Sequence, residues 1–252
     1  MLAEAKRQLH EEADYVREGA HLARFGALLA GASDYVVPTL HADLTNQSVL
    51  AMDHVSGVPI ESLVDAPQDE RDRVVTLLLD LSLRELFEFG LMQTDPNFGN
   101  YRYDPVTRRL ILLDFGATRA FPAELAERYR MLIGAALAND LAGVRAAIDA
   151  IGLIAESPAR YEDEIMAMLA LILERIHRPG PFDFADRSLV EQLRDRGLAL
   201  AADREVWHVP PIDTLFLHRK FAGMFLLGSR LKARVDIVGL AQRYVSGAPR
   251  TP

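Results

Sequence analysis

Residues 93–116 read QTDPNFGNYRYDPVTRRLILLDFG. Asp95 stands five residues before Asn100, and Asp114, Phe115 and Gly116 close the stretch. Two β-like runs lie inside it, near Asn100–Tyr103 and Leu110–Leu113, joined by the turn residues Asp104, Pro105, Val106 and Thr107. A loop Asp, an Asn shortly after it and a second Asp beyond a short hairpin follow the order of the metal-and-phosphate half of a phosphoryl-transfer site. Such chemistry calls for these residue types because Mg2+ is a hard cation that takes oxygen ligands.

Taken singly, each residue has a plainer reading. Asp95 before Pro96 is a common turn pair, and Asn100 reads equally well as a strand-edge cap. Asp-Phe-Gly alone would turn up by chance in about a few per cent of chains this long. The joint pattern is far rarer, and it decides for function. Asp95 would orient or deprotonate an attacking hydroxyl or water. Asn100 and Asp114 would hold Mg2+ against the phosphates of a nucleotide, ATP in a kinase. Gly116 supplies the backbone freedom that the turn after the metal ligand needs.

Outward from this stretch, 252 residues suffice for one large domain or two small ones. The net charge of −8 argues against a general nucleic-acid binder. With no cysteine, disulfides and thiolate metal sites are excluded. No apolar run approaches the roughly 20 residues that span a bilayer, and the polar, amphipathic N-terminus lacks the apolar core of a signal peptide. A cytoplasmic protein is expected, with peripheral contact to the inner face of a membrane left open.

Helical spacing runs over residues 2–30. Two β-like runs follow, Tyr35–Leu40 and Ser48–Val55, and then a helix from Asp69 to Phe89 that stops at Gly90. That helix is apolar on most faces and should lie at the centre of a helical core. After Pro122 the pattern is entirely helical, over about 123–138, 140–152, 159–177, 188–202, 212–232 and 236–246, with breaks at Pro158, Pro179–Pro181 and Pro210–Pro211. The expected fold class is α+β, mostly α: a small strand-containing front end on a large helical body.

Three further features carry two readings each. Glu11, Glu12, Asp14 and Glu18 on the first helix are either a solvated acidic face or partners for a phosphate-binding lysine. Met52, Asp53 and His54 sit either in a plain buried strand or in a hinge whose backbone meets an adenine. His218, Arg219, Lys220, Arg230, Lys232 and Arg234 form either a core helix with basic ends paired to acids or a surface for anionic lipid. The lone histidines, such as His177, have no metal-ligand spacing.

At this point the residues resemble a known family, the UbiB-type (AarF) atypical kinase-like proteins, and more closely the branch of coenzyme-Q biosynthesis. The resemblance is carried by EADYVREGAHLARF at 12–25, VLAMDHVSGVPI at 49–60, FEFGLMQTDPNFGNYRYDP at 87–105, LLDFGATRAF at 112–121 and LHRKFAGMFLLGSRLKAR at 217–234. It implies a protein-kinase-like fold, with residues 1–57 as the remnant of an N-lobe and 58–252 as a helical C-lobe. It also implies that Glu12 and Asp14 match the family's ExD motif and that Glu18 matches the acid that pairs with the nucleotide-binding lysine. ATP with Mg2+ would be the cofactors, and an isoprenoid quinone precursor or another lipid the partner. No Ala-Pro-Glu triplet follows Asp114, which fits a small-molecule kinase or ATPase better than a protein kinase.

The family's Lys-x-Gly-Gln helix, Ala-rich loop and lysine-bearing strand precede the ExD helix, and this sequence begins inside that helix. Its lysines are Lys6, Lys220 and Lys232, none of them in a strand ahead of the acidic helix. The expectation is an N-terminally incomplete member, or one whose missing N-lobe comes from a second chain. Gln93 stands where many bacterial relatives have His, a change shared with the mitochondrial branch. Two alternatives remain: a non-catalytic remnant that binds lipid or a partner, and a phosphotransferase of the aminoglycoside or choline type.

Overall fold

The computed structural model describes residues 14–154, 158–202 and 211–246. Asp14 caps the first helix, α1 (Tyr15–Leu28), by accepting a hydrogen bond from the Arg17 amide at 3.1 Å. Leu22 and Phe25 on its inner face are wholly buried. The part of the expected helix before Asp14 lies outside the described residues.

Strand β1 (Tyr35–Val36) is much shorter than the run from which it was expected. Over 48–55 there is no strand, only the single bridges Leu40–Met52 and Asn46–Val49. The bonds of the Leu40–Met52 bridge satisfy part of this backbone: His41 N donates to Ala51 O and Asp53 N to Thr39 O, both at 2.9 Å. The chain returns to the sheet as β2 (Val58–Pro59). Gly57 makes that return possible, because a Cβ there would lie 2.6 Å from Ile111 Cδ1 and 3.0 Å from Tyr103 O.

Helix α2 (Gln68–Arg84) buries Val74, Val75, Leu77, Leu78 and Leu81, and packs at the centre of the core as its apolar faces require. It runs on through a π-helical turn, Glu85–Phe89, which Gly90 closes in a left-handed conformation (φ 58°). The motif segment then lays down β3 (Leu91–Gln93), β4 (Tyr101–Asp104), β5 (Arg109–Leu112) and β6 (Thr118–Ala120). A four-stranded sheet has the order β1-β5-β4-β2, with β1 parallel to β5 and the other pairs antiparallel. Its strands come from both sides of residue 57. Strands β3 and β6 pair separately.

The C-terminal part carries α3 (Ala123–Leu137), α4 (Leu141–Ile151), α5 (Ala159–Ile176), α6 (Ser188–Ala202), α7 (Ile212–Leu231) and α8 (Ile237–Val245). Pro122, Pro158 and Pro211 stand directly before α3, α5 and α7, where a missing amide proton and a fixed φ cost nothing. The region is not wholly helical as expected: β7 (Phe182–Asp183) pairs with β8 (Arg234–Val235). Phe182 and Val235 are both buried, and pairing satisfies the backbone that enters the core with them. Helix α2 contacts both α7 and α8. Among the described residues no helix is long and apolar enough to cross a membrane.

Candidate active site

Strand register brings the motif residues together. Tyr101 lies opposite Leu112 in the β4–β5 ladder, and one step further the Leu113 amide donates to Asn100 O at 3.0 Å. Asn100 is therefore fixed opposite Leu113, next to Asp114. At the other end Gln93 lies opposite Thr118, and both the amide and the hydroxyl of Thr94 donate to Ala117 O (3.0 and 2.8 Å). The loop 94–100 and the segment 114–117 are thus clamped side by side from both ends.

Within the loop, Asn100 is buried and its Nδ2 donates to Asp95 Oδ2 at 3.0 Å. The amide nitrogen is committed to Asp95, so the oxygen available to a cation is Oδ1. Asp114 Oδ1 accepts from the Gly116 amide at 2.9 Å, leaving Oδ2 for another partner. The Phe115 ring is buried against Phe25 of α1, with centroids 4.9 Å apart.

Helix α1 closes the site from the other side. Glu18 Oε1 accepts from the Phe115 amide at 3.3 Å, and Arg17 Nη2 donates to Thr118 O at 3.3 Å. A Cβ at Gly116 would lie 3.5 Å from both Asp114 Oδ1 and Glu18 Oε2, so two carboxylates flank this glycine. Burial raises the pKa of Glu18 above the ordinary carboxylate value; the charge of Asp114 adds to the rise, and the Phe115 and Gly116 amides oppose it.

Mg2+ fits this donor set. An amide oxygen and a carboxylate oxygen held in adjacent ladder positions are hard ligands, and a concentration of negative charge surrounds them. Mg2+ is commonly held by one or two protein oxygens together with phosphates and water. Among the described residues no group of three His, Cys, Asp or Glu side chains could hold a metal ion unaided.

Beside Leu113 lies a cavity of about 770 Å3, lined by residues 50–57 together with His41, Leu44 and Arg102. Met52, Asp53 and His54 all face it. Arg102 Nε donates to Gly57 O at 2.9 Å, and His41 Nε2 and Asp53 Oδ1 stand 2.9 Å apart. Hydrogen bonds from Thr39 and then His41 hold the Asp53 carboxyl below its usual range. Asp14 serves as the exposed cap of α1, and Glu12 lies outside the described residues.

The sequence reading missed the contribution of α7. Arg219 Nη2 donates to Asp95 Oδ1 at 2.9 Å, so both oxygens of this carboxylate are held. Lys220 is 1 % exposed; its Nζ donates to Tyr101 Oη at 2.7 Å and Gln93 Oε1 at 3.2 Å, and stands 3.6 Å from Glu85 Oε2. Glu85, on the π-helical turn, is equally buried, and its Oε1 accepts from the Gln93 amide at 3.4 Å. Burial pushes the Glu85 carboxyl up to about 7, with Lys220 opposing. Burial also works against the Lys220 ammonium, but Glu85 and Tyr101 outweigh it and its pKa is raised.

Gly223, one turn beyond Arg219, packs on Pro96. The one available sign was a basic pair followed by a small residue, RKFAG, on an otherwise apolar helix. Of the two readings of the basic helix, pairing is what the structure shows: Arg230 bonds Glu61 at 2.6 Å, and His218 bonds the Tyr129 hydroxyl at 3.0 Å. His177 bonds the carbonyls of Leu173 and Leu137.

Residues 1–148 match the ABC1 atypical kinase-like domain. The chain is 36 % identical over 230 residues to atypical kinase COQ8B, mitochondrial, of Danio rerio, covering 91 % of this chain and 36 % of that protein. It is 33 % identical over 243 residues to atypical kinase COQ8, mitochondrial, of Saccharomyces cerevisiae, covering 95 % of this chain and 48 % of the relative. The chain therefore spans between about a third and a half of the length of these relatives. The solved complex of Rv3197 with erythromycin from Mycobacterium tuberculosis superposes with a TM-score of 0.75 at 21 % identity, covering 98 % of this chain and 62 % of that one, and shows a shared kinase-like fold. With its mostly helical α+β architecture and a family match over more than half its length, the chain belongs to the ABC1 (UbiB) atypical kinase-like family.

Proposed function

We propose that this chain carries the metal- and phosphate-binding half of an atypical kinase site, acting with ATP and Mg2+ as an ATPase or a small-molecule kinase in support of isoprenoid quinone biosynthesis. The observation that carries the reading is the β4–β5 register, which sets Asn100 beside Asp114 while Asn100 orients Asp95. Bound Mg2+ would supply neutralisation of the charge that builds up on the transferred phosphoryl group. Asn100 Oδ1 and Asp114 would be its protein ligands. Asp95 would orient the attacking hydroxyl or water. The cavity at residues 50–57 has the size of a small-molecule site and would take the adenine against the backbone around Met52, Asp53 and His54.

The division into a front part, residues 1–57, and a helical C-lobe, 58–252, is part of the same proposal. A lipid partner draws support from a second cavity, about 390 Å3, walled by apolar side chains that include Phe182, Phe184, Phe221 and Phe225. Such a lining suits an isoprenoid tail and offers no hydrogen bond to a polar group.

A second reading, nucleotide binding without turnover, is favoured by one observation. Among the described residues Glu18 accepts from the Phe115 amide and Lys220 pairs with Glu85, and no lysine faces Glu18 as in the ion pair of an active kinase. Calorimetric titration of Mg-ATP into the chain and into Asp114→Ala tests both readings. Heat with the wild type that is lost in Asp114→Ala supports the site, and phosphate release then separates turnover from binding. Equal heats, or none in either protein, would sink nucleotide binding by these residues.

A further inference from the structure

We propose that Lys220 is a positioning residue for the loop that carries Asp95 and Asn100, delivered from α7 more than a hundred residues along the chain. The proposal deepens the reading of the loop as a metal and phosphate site and rests on it for its functional consequence. Lys220 Nζ bonds Gln93 two residues before Asp95 and Tyr101 one residue after Asn100, so a single ammonium ties the two ends of the loop together. Its neighbours on α7 hold the middle: Arg219 bonds Asp95, and Gly223 packs on Pro96.

A buried charge pair is a poor way to gain stability, since apolar residues of similar volume often do as well or better. What Lys220 and Glu85 supply is geometry. Glu85 bonds the Gln93 amide while Lys220 bonds the Gln93 side chain, so residue 93 is fixed at both backbone and side chain. The ammonium can only donate, which sets the Gln93 amide with Oε1 towards it. A protonated imidazole in place of Gln93 would offer Lys220 no acceptor. Gln93 Oε1 and the Lys220 ammonium are thus matched as acceptor and donor.

A double substitution separates positioning from charge balance. Lys220→Met alone leaves Glu85 buried without its cation and should lower Tm by more than about 6 °C. Adding Glu85→Gln removes the stranded charge, keeps an acceptor for the Gln93 amide and should recover most of that loss. In the double variant the loop amides, read by hydrogen exchange at Thr94, Gly99 and Asn100 against those of α2, should still exchange at least about 10-fold faster than in the wild type. Affinity for Mg-ATP should fall roughly 10- to 100-fold, as for loss of an outer-shell partner.

Wild-type loop protection in a double variant of recovered Tm would overturn the proposal, leaving Lys220 as a charge partner only. A double variant as unstable as Lys220→Met would overturn it too, by making Lys220 a general support of the core. The exchange measurement uses no ligand. A wild-type chain that binds no Mg-ATP would therefore count against the proposed function while the loop result still judges Lys220.

Discussion

Substituting Gly223 by alanine is a sharp test of how α7 meets the loop. A Cβ at this position would lie 2.0 Å from Pro96 Cβ, 3.0 Å from its Cγ and 3.3 Å from its Cα, where ordinary contact begins at 3.4 Å. The helix and the loop must part by about 1.4 Å, the difference between 3.4 and 2.0 Å. The proline ring has no rotamer by which to retreat. Overpacking of this kind costs about 1–3 kcal/mol, and alanine returns about 1 kcal/mol through its better helix propensity. The net loss is roughly 0–2 kcal/mol, a fall in Tm of no more than about 8 °C for a chain of this size. Function should suffer far more, because a displacement of about 1 Å at a reacting group can cost on the order of 100-fold. Gly197, with nothing within 4 Å of a built Cβ, is the control: Gly197→Ala should raise stability by about 0.5–1 kcal/mol and leave binding alone. Urea melts and Mg-ATP titrations of both variants decide the matter. A Gly223→Ala protein that gains stability like the control and binds Mg-ATP like the wild type would refute the close packing of α7 on Pro96.

Two further substitutions probe the site and its supporting helix. The Glu18 carboxyl has a folded pKa raised above 4.5, so the stability tied to its protonated form is present below 4.5 and lost as pH rises through the raised value. Glu18→Gln should therefore raise Tm at neutral pH by an amount that vanishes in melts below about pH 4.5; an equal shift at every pH would contradict the burial of this carboxylate beside Asp114. Lys232 ends α7 in the left-handed region (φ 51°). That region costs an L-residue about 1–2 kcal/mol, of which glycine's greater chain entropy forfeits about 0.5–1. Lys232→Gly should gain about 0.5–1 kcal/mol in urea melts, and a loss of stability would count against that backbone geometry.

Much of the architecture was legible locally. Helix starts at Pro122, Pro158 and Pro211 and the stop at Gly90 coincide with the observed ends, because proline and glycine act through their own φ angles and need no distant partner. The hairpin of β4 and β5 was equally plain from its turn, where Asp104 accepts from the Val106 amide and the Thr107 hydroxyl. The run at 48–55 failed as a strand because its apolar residues make turns and single bridges rather than a ladder. The pairs β3–β6 and β7–β8 are too short to leave an alternation in the sequence.

For the site, the residue types and their spacing singled out Asp95, Asn100 and Asp114 as candidates, since the chemistry of a hard cation narrows the ligands to oxygen donors. The backbone freedom expected of Gly116 is not used, for its φ lies outside the left-handed region and a Cβ there would meet only ordinary contacts. The sequence by itself determined which groups could serve; that Asn100 falls opposite Leu113, next to Asp114, comes from the observed β4–β5 register. Only the tertiary structure decided what holds them. Arg219 and Asp95 are 124 residues apart, and Lys220 and Gln93 are 127 apart. No local period encodes such a contact, and a lysine on a helix reads as solvated until the fold buries it against Glu85 and Tyr101. The resemblance of Glu18 to a lysine's partner was visible along the chain; that its carboxylate accepts from the Phe115 amide depends on how α1 docks against the hairpin, a matter of packing between elements that the chain keeps 97 residues apart.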